Sequence, residues 1–220
     1  MQLALDGCAG IAESASQMRD RVERGRPRLT QSRVMAGLAA LLVAVALGTF
    51  GCSSDSGVVP VPSASAPMVK SAPVRVQIPA IGVDSTVMEL GLRADGTMQV
   101  PPAGFPAGWY SGAPTPGELG PAIIAGHVDW QGQPGVFYRL HDLKSGDEIT
   151  VVRQDGRAAV FRVNRVEQFP KNKFPTDLVY GNIDHAGLRL ITCGGSFNRQ
   201  AHSYDDNIIA FADLDSSHTA

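Results

Sequence analysis

Two residues with reactive side chains stand at the ends of short apolar runs. Cys193 ends one run and is followed by Gly194 and Gly195, which let backbone approach closely beside the sulfur. His127 ends a second run, at residues 122–126. An imidazole beside a thiol can accept its proton and later protonate a leaving amine, while the sulfur carries an acyl group. The pair therefore points to acyl transfer through a thioacyl intermediate.

Each of these two residues also has a structural interpretation. A cysteine with no partner is commonly a small buried hydrophobe, and a histidine at a strand end can be hydrogen-bonded under the following loop. The chain has three cysteines, and the positions of Cys8 and Cys52 relative to Cys193 match no zinc-ligand spacing. The other four histidines lie in polar, loop-like stretches and are interpreted as solvated: His141, His185, His202 and His218.

Short apolar stretches separated by turn residues predict the strands that must position Cys193 and His127. They lie at residues 74–78, 85–90, 122–125, 148–153, 158–166, 188–193 and 207–212. Asp155-Gly156 predicts a hairpin between the fourth and fifth of them. About eight strands at this spacing predict an all-β fold, either a closed barrel or a sandwich, with few and short helices.

The chain ahead of these strands divides into three segments. Residues 1–33 are a basic N-terminus, residues 34–50 are an uncharged apolar segment, and residues 51–73 are a Ser/Pro/Ala-rich linker. The apolar segment is expected to be a transmembrane signal-anchor or a signal, and the arginines before it predict a cytoplasmic N-terminus with the remainder exported. Gly51-Cys52 resembles a bacterial lipoprotein processing site, so lipidation of Cys52 is an alternative to a plain cysteine at the membrane face.

Length and charge limit the class of protein. With 220 residues, 44% of them hydrophobic, the chain can bury one ordinary core. The formal net charge is -2, and the strand-rich part carries no basic stripe, so binding to nucleic acid is excluded as its function.

Three segments in order resemble signature stretches of the sortase family, most closely the class F sortases of actinobacteria. They are Val76 to Val83 (VQIPAIGV), Ile124 to Asp129 (IAGHVD) and Leu190 to Gly195 (LITCGG). The resemblance implies a sortase catalytic domain at residues 74–214, built as a closed eight-stranded β-barrel, with a C-terminal tail at 215–220. It also implies a cysteine transpeptidase that cleaves a Leu-Pro-x-Thr-Gly-like sorting signal after Thr.

The resemblance assigns Cys193 as nucleophile and His127 as its acid/base partner, with no cofactor and no metal. The expected partners are surface proteins that carry a C-terminal sorting signal and an amine of the peptidoglycan precursor. Together with the N-terminal segments, it places a single-pass protein in the cell membrane with its catalytic domain outside the cytoplasm.

The family also uses an arginine beside the cysteine, and in many sortases it opens the last strand. This chain has Tyr204-Asp205-Asp206 there. Two substitutes are weighed. Arg189, four residues before Cys193, is preferred because strand alternation puts both on one sheet face. Arg199 lies in the loop after Gly195 and could fold back onto the substrate.

The stretch 169–185 corresponds to the loop that lines the peptide groove in sortases. Phe174 and Tyr180 are assigned to the apolar wall of that groove, although they could equally pin the loop to the barrel.

Two other functions remain open from the sequence. One is a Cys-dependent L,D-transpeptidase of peptidoglycan, whose motif places its histidine close ahead of the cysteine rather than on another strand. The other is a sortase-like surface lipoprotein with weakened catalysis, which the acids at 205 and 206 and the Cys52 context favour. A thiol-reactive probe separates an activated Cys193 from a structural thiol.

Overall fold

A computed structural model describes residues 65–220 of the chain. This part contains ten strands: β1 Pro73–Ile78, β2 Val83–Leu90, β3 Ala107–Tyr110, β4 Gly120–Ala125, β5 Asp129–Trp130, β6 Gln133–Pro134, β7 Glu148–Arg153, β8 Arg157–Pro170, β9 Ala186–Asn198 and β10 Ser203–Thr219. It also contains one α-helix, α1 Thr176–Tyr180, and three 3₁₀ turns at Pro79–Ile81, Leu140–Asp142 and Lys171–Lys173. Within residues 65–220 no helix has the length and apolar character needed to cross a membrane.

Eight of the strands close into a barrel in the order β1-β2-β3-β4-β9-β10-β8-β7. Strands β5 and β6 pair separately as a short ribbon that follows β4. The closed all-β barrel with few and short helices is confirmed.

Strand alternation divides the buried side chains into two clusters. On β9, Leu188 and Leu190 belong to the cluster that fills the barrel, whereas Ile191 belongs to a second cluster on the outer face. The second cluster also contains Val179 and Tyr180 of α1, so the loop between β8 and β9 covers this outer face. Strand β4 and the first nine residues of β9 are buried on both faces, which explains why their sequences are mostly apolar rather than alternating.

The pairing of β4 with β9 positions the candidate site. These strands are parallel neighbours, and their register runs from Gly120 opposite Ala186 to Ala125 opposite Ile191. The last pair lies two residues before His127 and two residues before Cys193. Because the two strands run in the same direction, both residues lie beyond the same end of this pairing, while β9 itself continues to Asn198.

Several boundaries differ from the sequence-based ones. Strand β3 was not predicted, because Ala107–Tyr110 is a run of only four residues that includes a glycine. Strand β10 continues through residues 215–219, so the segment assigned to a C-terminal tail is mostly strand paired with the start of β8. The end of the assigned linker, from residue 65, packs on the barrel, where Met68 is buried and donates its N–H to Gly117 O.

The basic N-terminus, the apolar segment 34–50, most of the linker, and Cys8 and Cys52 lie outside the described residues. Their assignments stay predictions.

Candidate active site

His127 follows the end of β4, and Cys193 lies within the neighbouring strand β9. The Gly126 N–H donates to Ile191 O at 3.0 Å, so the two chains are still paired one residue before His127. Adjacent strands are about 4.8 Å apart. Ala125 and Ile191 both belong to the outer cluster, and strand alternation returns Cys193 to that face two residues after Ile191. The register therefore places both residues two positions beyond the Ala125–Ile191 pair, at the same end of the β4–β9 pairing.

The His127 ring is held by the loops that surround it. Its Nε2 lies 2.8 Å from the carbonyl oxygen of Pro101, and its ring centroid is 5.0 Å from that of Trp130. A carbonyl oxygen only accepts, so Nε2 carries a hydrogen and donates it. In the neutral ring, Nδ1 is then the nitrogen with a lone pair, and it is the one that can accept a proton.

Close packing under His127 fixes the backbone of this loop. A side chain at Gly126 would lie 2.4 Å from Val136 Cγ1, and one at Gly135 would lie 2.4 Å from His127 O. The His127 carbonyl also accepts the Phe137 N–H at 3.0 Å. His127 itself is 7% exposed. The imidazole is therefore held in one place before any substrate arrives.

Cys193 is a reduced thiol that is 6% exposed. The residue directly opposite on β10 is Asn207, which is fully buried. Beyond Cys193 the two strands continue as a hairpin, with a bulge where Gly195 has a φ of 75° and a Cβ would lie 2.4 Å from Asp206 Oδ2. Gly195 is thus required by its backbone conformation and by the space available to it.

A hydrogen bond from Tyr204 joins the β9–β10 hairpin to the ribbon that follows His127. The Tyr204 hydroxyl on β10 donates to Asp129 Oδ2, two residues after His127, at 2.5 Å. Burial raises the pKa of Tyr204 to about 12, and the hydrogen bond to Asp129 and the charges of Asp129 and Cys193 contribute to the rise. The phenol therefore stays protonated, and able to donate, at neutral pH.

The preferred arginine points away from the thiol. Arg189 lies on the face of β9 that carries Cys193, as alternation predicts, but its Nη1 donates to Leu188 O at 3.1 Å and lies 3.5 Å from Ala212 O. Its guanidinium carbon is 5.0 Å from the centroid of the Phe211 ring. These contacts lie toward the opposite end of β9, so the structure does not bring Arg189 to Cys193, and its catalytic role stays a prediction that this geometry does not support.

Arg199 and the two acids do not face the thiol either. Arg199 is exposed in the turn of the β9–β10 hairpin. Asp205 is exposed at the bulge, where it pairs with no residue of β9. Asp206 alternates to the face opposite Asn207, and its Oδ2 accepts the Gln168 amide at 2.6 Å. The substrate-binding role of Arg199 stays a prediction.

Phe174 and Tyr180 pack on the outer face that carries Cys193. Their ring centroids are 6.1 Å apart, and the Tyr180 ring meets Tyr110 edge-on at 6.4 Å. Burial raises the pKa of Tyr180 well above its usual value. Both rings join the outer cluster with Ile191 and Ile209, so they secure the loop to the barrel and stand beside the strands that lead to the site.

Sequence reasoning missed Asn207, Tyr204, Asp129 and Trp130. The only available signal was proximity in the chain, because Trp130 and Asp129 follow His127 and the other two open the last strand. It also interpreted His185 as solvated, whereas His185 lies between Asp184 and Asp213 at 2.9 and 3.0 Å. No group of three His, Cys, Asp or Glu side chains within residues 65–220 could hold a metal ion.

Comparison with known proteins identifies the fold and the family. The barrel is similar to sortase A of Listeria monocytogenes, with a TM-score of 0.52 and 18% identity over 68% of this chain and 91% of that one. It is similar to sortase C-3 of Streptococcus pneumoniae, with a TM-score of 0.52 and 16% identity over 68% and 65% of the two chains. It is also similar to sortase A of Corynebacterium diphtheriae, with a TM-score of 0.50 and 18% identity over 66% and 61%.

The closed eight-stranded barrel is the fold that this chain shares with these sortases. The family model for the sortase domain matches residues 76–215, and the chain therefore belongs to the sortase family of enzymes. It spans less than two thirds of the S. pneumoniae and C. diphtheriae chains. No curated protein sequence matches it.

Proposed function

We propose that this protein is a thiol transpeptidase in which Cys193 is the nucleophile and His127 the acid/base partner. The observation that carries the proposal is the parallel pairing of β4 with β9, which ends two residues before His127 and two residues before Cys193. Membership of the sortase family supports the same chemistry. The Cys-dependent L,D-transpeptidase alternative has no such support.

The first half-reaction follows from the geometry of His127. Nε2 donates to Pro101 O, so Nδ1 accepts the Cys193 thiol proton as the sulfur attacks the scissile carbonyl carbon. The new S–C bond gives a tetrahedral intermediate with a negatively charged oxygen. When the C–N bond breaks, Nδ1–H protonates the leaving amine, and the acyl group remains on sulfur as a thioester.

The second half-reaction reverses these roles. An incoming amine attacks the thioester carbonyl, Nδ1 takes the proton of the amine, and the thiolate leaves and is reprotonated. The buried ring and the low exposure of Cys193 limit access of water to the thioester, which favours an amine over hydrolysis.

The substrate assignment rests on the resemblance and on the outer face. We assign as substrates surface proteins that carry a Leu-Pro-x-Thr-Gly-like C-terminal sorting signal, with a peptidoglycan precursor amine as acceptor. The apolar side chains of Phe174 and Tyr180 border the face that leads to Cys193 and suit the apolar part of such a signal. The three signature segments favour the class F type, and the N-terminal segments favour tethering to the cell membrane.

The test measures peptide cleavage and amine transfer separately. Purified protein is mixed with a fluorogenic Leu-Pro-x-Thr-Gly or Leu-Ala-x-Thr-Gly peptide, with and without a peptidoglycan-type amine. Cys193→Ala is expected to abolish cleavage and His127→Ala to reduce it at least 100-fold, as loss of a general acid/base does. His141→Ala, which removes an exposed histidine, is the matched control and keeps full activity. Full cleavage by the Cys193 variant contradicts the proposal.

A second candidate is a sortase-like protein with weakened turnover. The observation that favours it is the position opposite Cys193, which holds the neutral side chain of Asn207 where an arginine could stand. A thiol probe distinguishes the two candidates. An active site labels Cys193 rapidly near neutral pH and loses that rate in His127→Ala, whereas a structural thiol labels slowly in both.

A further inference from the structure

The Asn207 side chain lies buried next to the reactive sulfur with unused hydrogen-bonding capacity. Within residues 65–220, neither its Oδ1 nor its Nδ2 has a hydrogen-bond partner, and the residue is fully buried. Buried amides are nearly always paired, and an unpaired one destabilises the folded state. The Asn207 amide therefore has donor and acceptor capacity left for a bound group.

The register places this amide beside Cys193. Asn207 on β10 is directly opposite Cys193 on β9, and residues directly opposite in an antiparallel pair share a face with Cβ atoms about 4.5–5.5 Å apart. The neighbours confirm the face, because Ile191 and Ile209, two residues away on each strand, both belong to the outer cluster. The Asn207 side chain therefore lies beside the sulfur on the same face of the sheet.

None of the nearby charged side chains, Arg189, Asp205 and Asp206, faces Cys193 across the β9–β10 pair. Asp206 points to the other face and accepts the Gln168 amide, Asp205 is exposed at the bulge, and the Arg189 guanidinium lies against Phe211. The side chain that faces the thiol across the strand pair is the neutral amide of Asn207.

We propose that Asn207 is a catalytic residue whose Nδ2–H donates to the oxyanion that forms on the scissile carbonyl, in the place where an arginine would act. The inference rests on the proposed function. A preorganised neutral donor stabilises this charge without the positive charge of a guanidinium. The donor has no partner before substrate binds, so it gives up no existing hydrogen bond when the oxyanion forms.

The principal test is Asn207→Leu, which keeps the branching of the side chain and removes both polar atoms. The expected kcat/KM for the sorting peptide falls about 100-fold, as for loss of one oxyanion donor. The melting temperature stays the same or rises, because a buried group without a partner has been removed. Alkylation of Cys193 by iodoacetamide stays within threefold of the wild-type rate, because that reaction forms no oxyanion. Ile209→Val, one pair further along the same face, is the control for a small packing change.

A second variant tests the proximity of the side chain to sulfur. Asn207→Asp keeps the shape, but its carboxylate cannot donate and repels both thiolate and oxyanion, so turnover and alkylation both slow by at least tenfold. Wild-type alkylation in this variant overturns the inference, because it places the side chain away from the sulfur.

The remaining outcomes separate the inference from the proposed function. Turnover of Asn207→Leu within threefold of wild type overturns the inference alone. A parallel loss of turnover, alkylation and melting temperature shows a structural role and also overturns it. Wild-type protein that forms no thioester with the peptide contradicts the proposed function, and the oxyanion role with it.

Discussion

The hydrogen bond between Tyr204 and Asp129 is expected to hold the two halves of the site in register. Tyr204 belongs to the hairpin that extends from Cys193, and Asp129 belongs to the ribbon that follows His127. Tyr204→Phe removes the hydroxyl and keeps the ring, which packs edge-on against Phe197 at 5.2 Å. The change therefore isolates the link between the two segments.

The size of the effect follows from the type of bond and its exposure. A hydrogen bond to a charged group contributes about 1.5–3 kcal/mol, and both partners here are half-buried, so we expect about 1–2 kcal/mol. If that energy keeps His127 beside Cys193, its loss lowers kcat/KM by about 5- to 30-fold.

A double-mutant cycle with Tyr204→Phe and Asp129→Asn measures this link directly. The expected coupling is about 1 kcal/mol in both stability and kcat/KM. Ultraviolet titration adds an independent readout, since Asp129→Asn should lower the Tyr204 pKa from about 12 toward its usual value. Tyr138→Phe, a half-exposed tyrosine near Tyr204, is the control. Additive effects within about 0.3 kcal/mol would show that the two segments are not coupled through this bond.

Two further predictions concern stability. Arg153 is 1% exposed and donates to Pro116 O and to Val69 O. Arg153→Met should therefore lower the free energy of unfolding in a urea titration by about 2–5 kcal/mol, whereas Arg157→Met, at an exposed arginine, should change it by less than about 0.5 kcal/mol. Equal effects would contradict the structural role of Arg153. Asp184 raises the pKa of His185, with Asp213 contributing and partial burial opposing. The protonated His185 therefore stabilises the folded state fully below the unfolded pKa of 6.5, and this stabilisation is lost as pH rises through the higher folded pKa. The melting temperature of His185→Gln should therefore fall further below wild type at pH 5.5 than at pH 8.5, and a difference independent of pH would refute this.

The sequence predicted the parts of the site that depend on chain pattern. Apolar runs that end in His127 and Cys193 correctly predicted β4 and the first part of β9, which lie next to each other in the closed barrel. That β4 and β9 are parallel neighbours could not be derived from the runs themselves, because it depends on how β7, β8 and α1 connect the two strands.

Arg189 shows where pattern alone is insufficient. Alternation gave the correct face of β9, but the direction of a long side chain depends on what it packs against. The Phe211 ring and the carbonyls of Leu188 and Ala212 draw the guanidinium away from Cys193. The sequence contains nothing that separates this rotamer from one directed to the thiol.

The hairpin beyond Cys193 was also missed, for a related reason. Gly194, Gly195 and the polar residues after them lack alternation, and the predicted strand therefore ended at Cys193. These residues form a strand because they pair with the start of β10, not because of a pattern in their own sequence. Asn207 became a candidate only when that register was known.

Intact-mass spectrometry of the protein mixed with a sorting-signal peptide tests the central claim most directly. The account predicts a thioester adduct on Cys193 with the mass of the N-terminal peptide fragment, which disappears on addition of hydroxylamine and forms at least 100-fold more slowly in His127→Ala. Cleavage of the peptide without an adduct on Cys193, or adduct formation that is equally fast without the imidazole, would contradict it.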